Sequence, residues 1–276
     1  MMRKYLLAIL VPLLLAGCFG GAGGSSPRID DDLTPDISGS KADVQRYMRM
    51  GDRALDEGQP STALMMYSAA NKADPGDPAP LLASARLLEA GGDFNAAARL
   101  YDDLATRRDA DDKLTLQLAA ARSYLKAKNY PEAALRYDKL ANQTGNWRAY
   151  NGLGVVRDLE GNQAIAIRSY QTALEKAPAG DKAKVRANLA LSHILEGSPK
   201  QAIELLEPLD KAGTLSSAER RYLALAYGFS GRADDASRLG LDEPPTMDML
   251  KQSLETMEGP GIKAAPAKTV TKEPVK

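Results

Sequence analysis

Between residues 44 and about 240 the chain repeats itself roughly every 34 residues, and a repeat of that period settles the architecture before any local propensity is weighed. One unit runs Tyr47, Met50, Gly51, Ala54, Gly58, Ala63, Tyr67, Ala70 and Pro75. Another runs Tyr150, Leu153, Gly154, Arg157, Gly161, Ala166, Tyr170, Ala173 and Pro178, with every gap the same. Looser copies carry Leu81, Ala85, Leu88, Ala97, Tyr101 and Leu104; then Ala121, Tyr124, Tyr130, Ala133, Tyr137 and Leu140, after a short insertion near Asp111 to Lys113. A fifth has Leu189, Ala190, His193, Gly197, Ala202 and Leu206, and a sixth begins with Leu223, Ala224, Tyr227, Gly231 and Ala236 before it decays.

Apolar or small residues three and four apart put one stripe on each of two helices per unit. The Gly or Ala eighth in the unit and the Ala twentieth mark close approaches of helix backbones. The aromatic four residues after that Ala fills the gap beside the next unit. Gly58, Gly161, Gly197 and Gly231 fall between paired helices, where chain reversal needs positive φ. Pro75 and Pro178 end second helices, because proline cannot continue one. Few aromatics (5%) and scarce β-branched runs agree with an all-helical chain.

This pattern resembles the tetratricopeptide repeat. The resemblance implies an all-α, right-handed solenoid of about six helix pairs over residues 44–258, whose first helices line a concave groove. Met247, Leu250, Leu254 and Met257 share one face of a final amphipathic helix, read as a cap on the last unit.

The ends are different in kind. Arg3 and Lys4, an apolar run from Tyr5 to Leu15 and then Leu15-Ala16-Gly17-Cys18 have the order of a secretory signal, too short to span a bilayer stably. The sequence resembles a bacterial lipoprotein signal over residues 1–17, which implies cleavage before Cys18, acylation there and a membrane anchor. Cys18 is the only cysteine, so with it modified there is no disulfide, thiolate nucleophile or cysteine metal site. Phe19 is not the aspartate that in the enteric sorting rule retains a lipoprotein at the inner membrane, so the expected location is the outer membrane, facing the periplasm. Residues 18–43, rich in Gly, Ser and Pro, read as a flexible tether, with Asp30 to Asp32 a solvated acidic run. Residues 259–276, with Lys263, Lys268, Lys272 and Lys276, read as a disordered basic tail.

Catalytic constellations are missing. The formal net charge is zero, which gives no electrostatic drive toward nucleic acid. The single histidine, His193, stands at the aromatic core position of its unit, like Tyr124 and Tyr227, and is expected to be packed and hydrogen-bonded. Gly152-Leu153-Gly154 lacks the third glycine and the preceding strand of a phosphate loop. The acid pairs Asp102-Asp103 and Asp234-Asp235 are expected to face solvent. We therefore expect no enzyme, cofactor, metal or small-molecule substrate, but a surface for protein partners. Its inward positions are Arg148, Asn151 and Val155, then Lys184, Asn188 and Leu191, then Arg221, Leu225 and Phe229. Arg148, Lys184 and Arg221 recur near one edge, suited to a carboxylate or acidic segment. In peptide-binding members of the repeat family the position of Asn188 often carries an asparagine that bonds ligand backbone.

A lipoprotein of about six such repeats is similar to the TadD family of Flp (tight-adherence) pilus systems. Leu15-Ala16-Gly17-Cys18, Tyr150-Asn151-Gly152-Leu153-Gly154 and Arg221-Tyr222-Leu223-Ala224-Leu225-Ala226-Tyr227-Gly228 followed by Gly231 carry the likeness. It implies a pilotin-like role in localising or assembling an outer-membrane secretin, with secretin or pilus-assembly subunits as partners. The other reading is a general periplasmic scaffold lipoprotein that docks peptidoglycan enzymes or outer-membrane assembly factors.

Overall fold

The computed structural model describes residues 41–107 and 113–240. They form twelve α-helices: α1 (Lys41–Asp56), α2 (Pro60–Ala73), α3 (Ala79–Ala90), α4 (Phe94–Thr106), α5 (Lys113–Lys126), α6 (Tyr130–Thr144), α7 (Trp147–Leu159), α8 (Gln163–Lys176), α9 (Lys182–Leu195), α10 (Pro199–Lys211), α11 (Ser217–Phe229) and α12 (Ala233–Arg238). Among the described residues there is no strand, and no helix is long and apolar enough to cross a membrane. Each helix packs on the next, and α9 also packs on α11, the arrangement of stacked antiparallel pairs. The fold is an all-helical solenoid of the tetratricopeptide-repeat type. The signal, Cys18, the basic tail and the capping helix expected at Met247 to Met257 lie outside the described residues. So does most of the tether, but α1 takes in Lys41, Ala42 and Asp43, which the sequence reading leaves there.

Local chemistry sets the helix ends. Prolines occupy the first turns of α2, α6 and α10, where their missing N–H costs nothing. The Asp93 side chain accepts from the Ala96 N–H at 3.1 Å to start α4, and Asn146 accepts from Arg148 N–H at 2.8 Å to start α7. Within pairs, the turn is built on one left-handed residue: Gly161 has φ of 80° and Gly197 of 81°. In the third unit that place falls to Lys128, the one non-glycine with positive φ (58°) among the described residues. The backbone there closes as in the glycine turns, with Asn129 N–H on Tyr124 O at 2.9 Å, like Asn162 N–H on Arg157 O at 2.7 Å.

Packing follows the small-beside-large logic of the repeat. The twentieth-position alanines, Ala63, Ala97, Ala133, Ala166, Ala202 and Ala236, are all buried, and four residues on Tyr67, Tyr101, Tyr137 and Tyr170 are buried too. Each such ring contributes roughly 2–3 kcal/mol by leaving water. The glycines exist to admit them. A Cβ on Gly51 would stand 2.5 Å from the Tyr67 ring, and one on Gly154 would stand 2.5 Å from Tyr170. Gly152 would place its Cβ 2.3 Å from Tyr137, a ring of the preceding unit. Helix α7 is thus indented twice, once for its own unit's tyrosine and once for its neighbour's.

The phenol ends of these rings find carboxylates. Tyr67 donates to Asp52 at 2.8 Å, Tyr101 to Glu89 at 3.1 Å and Tyr170 to Asp158 at 3.0 Å, each from a second helix to the first helix of its own pair. Tyr124 donates to Asp102 at 3.4 Å and Tyr227 to Glu207 at 3.0 Å, tying a first helix to the preceding pair. Burial and the facing Glu207 push the Tyr227 hydroxyl up to about 12. Two sequence expectations need correction here. Asp102 is not a solvated acid: it is half-buried, because α5 packs on α4 and brings Tyr124 to it while Arg136 reaches it from α6. His193 is half-buried without the hydrogen bond expected of it, since its Nδ1 is buried with no bonding partner and lies 3.9 Å from the Glu196 carboxylate. Desolvation holds its pKa below the ordinary value.

Candidate protein-binding groove

The first helices α7, α9 and α11 carry the expected groove residues at spacings of three and four, so each trio shares one face. The structure divides the nine into two groups. Val155, Leu191 and Leu225 are buried in the hydrophobic core, and Asn151 and Asn188 are buried as well. Asn188 Nδ2 donates to Asn151 Oδ1 at 2.9 Å, so these amides bridge α7 and α9. Such a pair satisfies polar groups that would cost about 1–3 kcal/mol if left unbonded. The accessible group is Arg148, Lys184, Arg221 and Phe229. Arg148 stacks on Trp147 with its guanidinium carbon 4.5 Å from the ring centroid and lies 3.8 Å from the Asp181 carboxylate. Arg221 is exposed, and Phe229 is 39% exposed.

Two charged elements beside these residues escape a reading of repeat signatures. Asp158 on α7 is 2% exposed, yet it is held by hydroxyls alone: Ser192 Oγ of α9 donates to Oδ1 at 2.7 Å and Tyr170 to Oδ2 at 3.0 Å. Desolvation outweighs both bonds and pushes this carboxyl up to about 7. The signal was its spacing, since Asn151, Val155 and Asp158 fall four and three apart and so face the same way. The second element is Glu219, fully buried at the start of α11, which accepts from Arg186 Nε of α9 at 2.6 Å and from Ser216 N–H at 2.9 Å. Ser216 Oγ accepts from Glu219 N–H, completing a capping box that the run Ser216-Ser217-Ala218-Glu219 spells out.

Elsewhere a cavity of about 610 Å³ opens between α4, α5 and α6, lined by Asp102, Lys113, Gln117, Leu135, Arg136 and Lys139 among others, with none of the nine groove residues in its wall. Among the described residues no three His, Cys, Asp or Glu side chains gather as metal ligands would. What the arrangement offers is a surface of stacked first helices with a cationic and aromatic rim over a bonded interior. That is the class of repeat proteins typically used as interaction scaffolds.

Comparison with known proteins agrees with that fold. A tetratricopeptide repeat family model matches residues 54–114. A search of curated protein sequences finds no match. Among solved structures, the chain is similar to PilF of Pseudomonas aeruginosa, at 17% identity and TM-score 0.51, over 79% of this chain and 98% of that one. It is similar to PilW, described as a widely conserved type IV pilus biogenesis factor, at 13% identity and TM-score 0.53, over 72% and 91%. It is also similar to MamA from Desulfovibrio magneticus, at 21% identity and TM-score 0.50, over 61% and 94%. At these identities the likeness is one of fold.

Proposed function

We propose that this chain is a non-catalytic, lipid-anchored scaffold of the outer membrane that binds protein segments along its first helices and assists secretin assembly for an Flp-type pilus. The observation that carries the reading is the fold itself, a six-pair solenoid similar over most of its length to PilW, a type IV pilus biogenesis factor. The order of Arg3, Lys4, the apolar run and Leu15-Ala16-Gly17-Cys18 ahead of that solenoid supports the anchor. Tethering by lipid would confine the solenoid to a thin layer and raise its effective concentration toward membrane-bound partners. The accessible Arg148, Lys184 and Arg221 favour a segment bearing carboxylates, and Phe229 gives it an apolar contact.

The test is a crosslinking pull-down of the full chain from its native envelope, with Cys18→Ser in parallel. Secretin and pilus-assembly subunits captured by the natural chain support the reading; cell-wall enzymes or outer-membrane assembly factors replace it with a general envelope scaffold. Cys18→Ser is expected to move the protein from the membrane to the soluble fraction. Unchanged fractionation refutes the anchor.

A further inference from the structure

We infer that the Asp158 carboxyl is a proton-operated latch between α7 and α9, holding the first helices of the fourth and fifth units together when protonated and loosening them when ionised. The geometry is unusual for an acid. Asp158 is buried where three helices meet, on α7 against Tyr170 of α8 and Ser192 of α9. A buried carboxylate ordinarily keeps its charge by pairing with a cation or by collecting several N–H donors. Here the bonding partners are two hydroxyls.

No cation bonds the Asp158 carboxyl or figures among the influences on it, which are burial and the two hydroxyls. On α7 itself Arg157 binds Glu160 at 2.7 Å. On α9 Arg186 binds Glu219, and His193 faces Glu196 and Glu204. On α8 the titratable neighbour is Tyr170, and on α11 it is Tyr222, whose influence falls on Tyr170. Nothing among these supplies a compensating positive charge, so burial decides the carboxyl's state. Protonated, Asp158 has no charge to bury: it accepts from one hydroxyl at its carbonyl oxygen and turns its own O–H toward the other, which then accepts instead of donating. Ionised, it keeps the two bonds but carries an uncompensated charge in a buried junction, and the relief open to it is for α7 and α9 to part and admit water.

The same two helices are joined by the Asn151–Asn188 amide bond. An opening at Asp158 therefore strains the bonded interior beneath the groove rim, and through it the groove becomes responsive to pH near neutrality. That last step rests on the groove reading above; the latch itself does not.

The experiment is a carboxyl ¹³C NMR titration of the full chain, with backbone amide exchange measured at pH 5.5 and 8.5. The Asp158 resonance is expected to titrate near neutrality, and amides of α7 and α9 to lose protection at the higher pH by at least about tenfold more than those of α1 and α2, after correction for intrinsic rates. Asp158→Asn removes that pH response. Should that variant not fold, Ser192→Ala deletes one donor to the carboxylate and moves the midpoint further up. A midpoint in the ordinary aspartate range near 4 overturns the latch. So does exchange at α7 and α9 that tracks the rest of the chain, or a midpoint indifferent to Ser192→Ala. None of these readouts needs a partner, so a failed pull-down and a failed latch are separate results.

Discussion

Replacing Gly154 by Ala sets two known effects against each other. Alanine is the better helix former by about 1 kcal/mol, so on an exposed helix face the change would stabilise. At this position the added methyl would lie 2.5 Å from Cε1 and 2.7 Å from Cδ1 and Cζ of Tyr170. Carbon atoms in contact prefer about 3.5–4.0 Å, so the overlap is about 1 Å along one edge of the ring. Tyr170 has no free side to move toward: it is fully buried, and its hydroxyl is fixed 3.0 Å from Asp158. Overpacking of this kind costs about 1–3 kcal/mol, and a rigid, tethered ring belongs at the upper end. Subtracting the propensity gain leaves a net loss of about 1–2 kcal/mol, or a fall in melting temperature of roughly 2–8 °C for a domain of this size. Thermal and urea unfolding followed by far-ultraviolet circular dichroism measure it. A variant as stable as the parent would show that the ring yields, and that the glycine does not mark a close approach.

Three further outcomes follow from local geometry. Lys128→Gly should stabilise by about 0.5–1 kcal/mol, since relief of the left-handed backbone of a side-chain-bearing residue exceeds glycine's entropic cost; a lower urea midpoint would contradict this. Arg186→Met leaves the buried Glu219 carboxylate with only its N-cap bond and should cost about 3 kcal/mol, much of it recovered by adding Glu219→Gln, as a double-mutant cycle would measure. Asp158 releases its proton at about 7 in the fold against an ordinary 3.8, so the unfolded chain ionises first as pH rises. Stability then declines from about pH 4 to 7 and levels off above, a loss of about 4 kcal/mol that Asp158→Asn should not show; equal slopes for both proteins would remove the argument.

Much of the fold could be read from residue order because the repeat encodes size complementarity at fixed spacing. Gly51 with Tyr67 and Gly154 with Tyr170 are small-against-large pairs sixteen residues apart, a distance that one helix hairpin fixes. Exposure in the groove is set differently. Asn151, Val155, Asn188, Leu191 and Leu225 stand at inward positions, but whether an inward residue is open depends on how tightly successive first helices close. That is a property of whole units and not of any one spacing. Asp158 escaped for the opposite reason: its spacing from Asn151 and Val155 turns it inward, but a lone acid in a helix reads as solvated until three helices are seen to enclose it. Lys128 hid a turn by lacking the glycine that marks the others.

The double indentation of α7 also bears on how such a chain comes apart. A linear stack unzips from its ends, each unit protected only by its neighbours. Gly152 and Gly154 seat rings from both sides of a single helix, so the boundary between the third and fourth units cannot be opened without unplugging a ring from α7. Fragments cut on either side of that boundary should therefore differ in fate. A piece that keeps α6 through α8 retains both sockets filled and can serve as a folding nucleus, whereas a piece that begins at α7 leaves an empty groove where Tyr137 belongs.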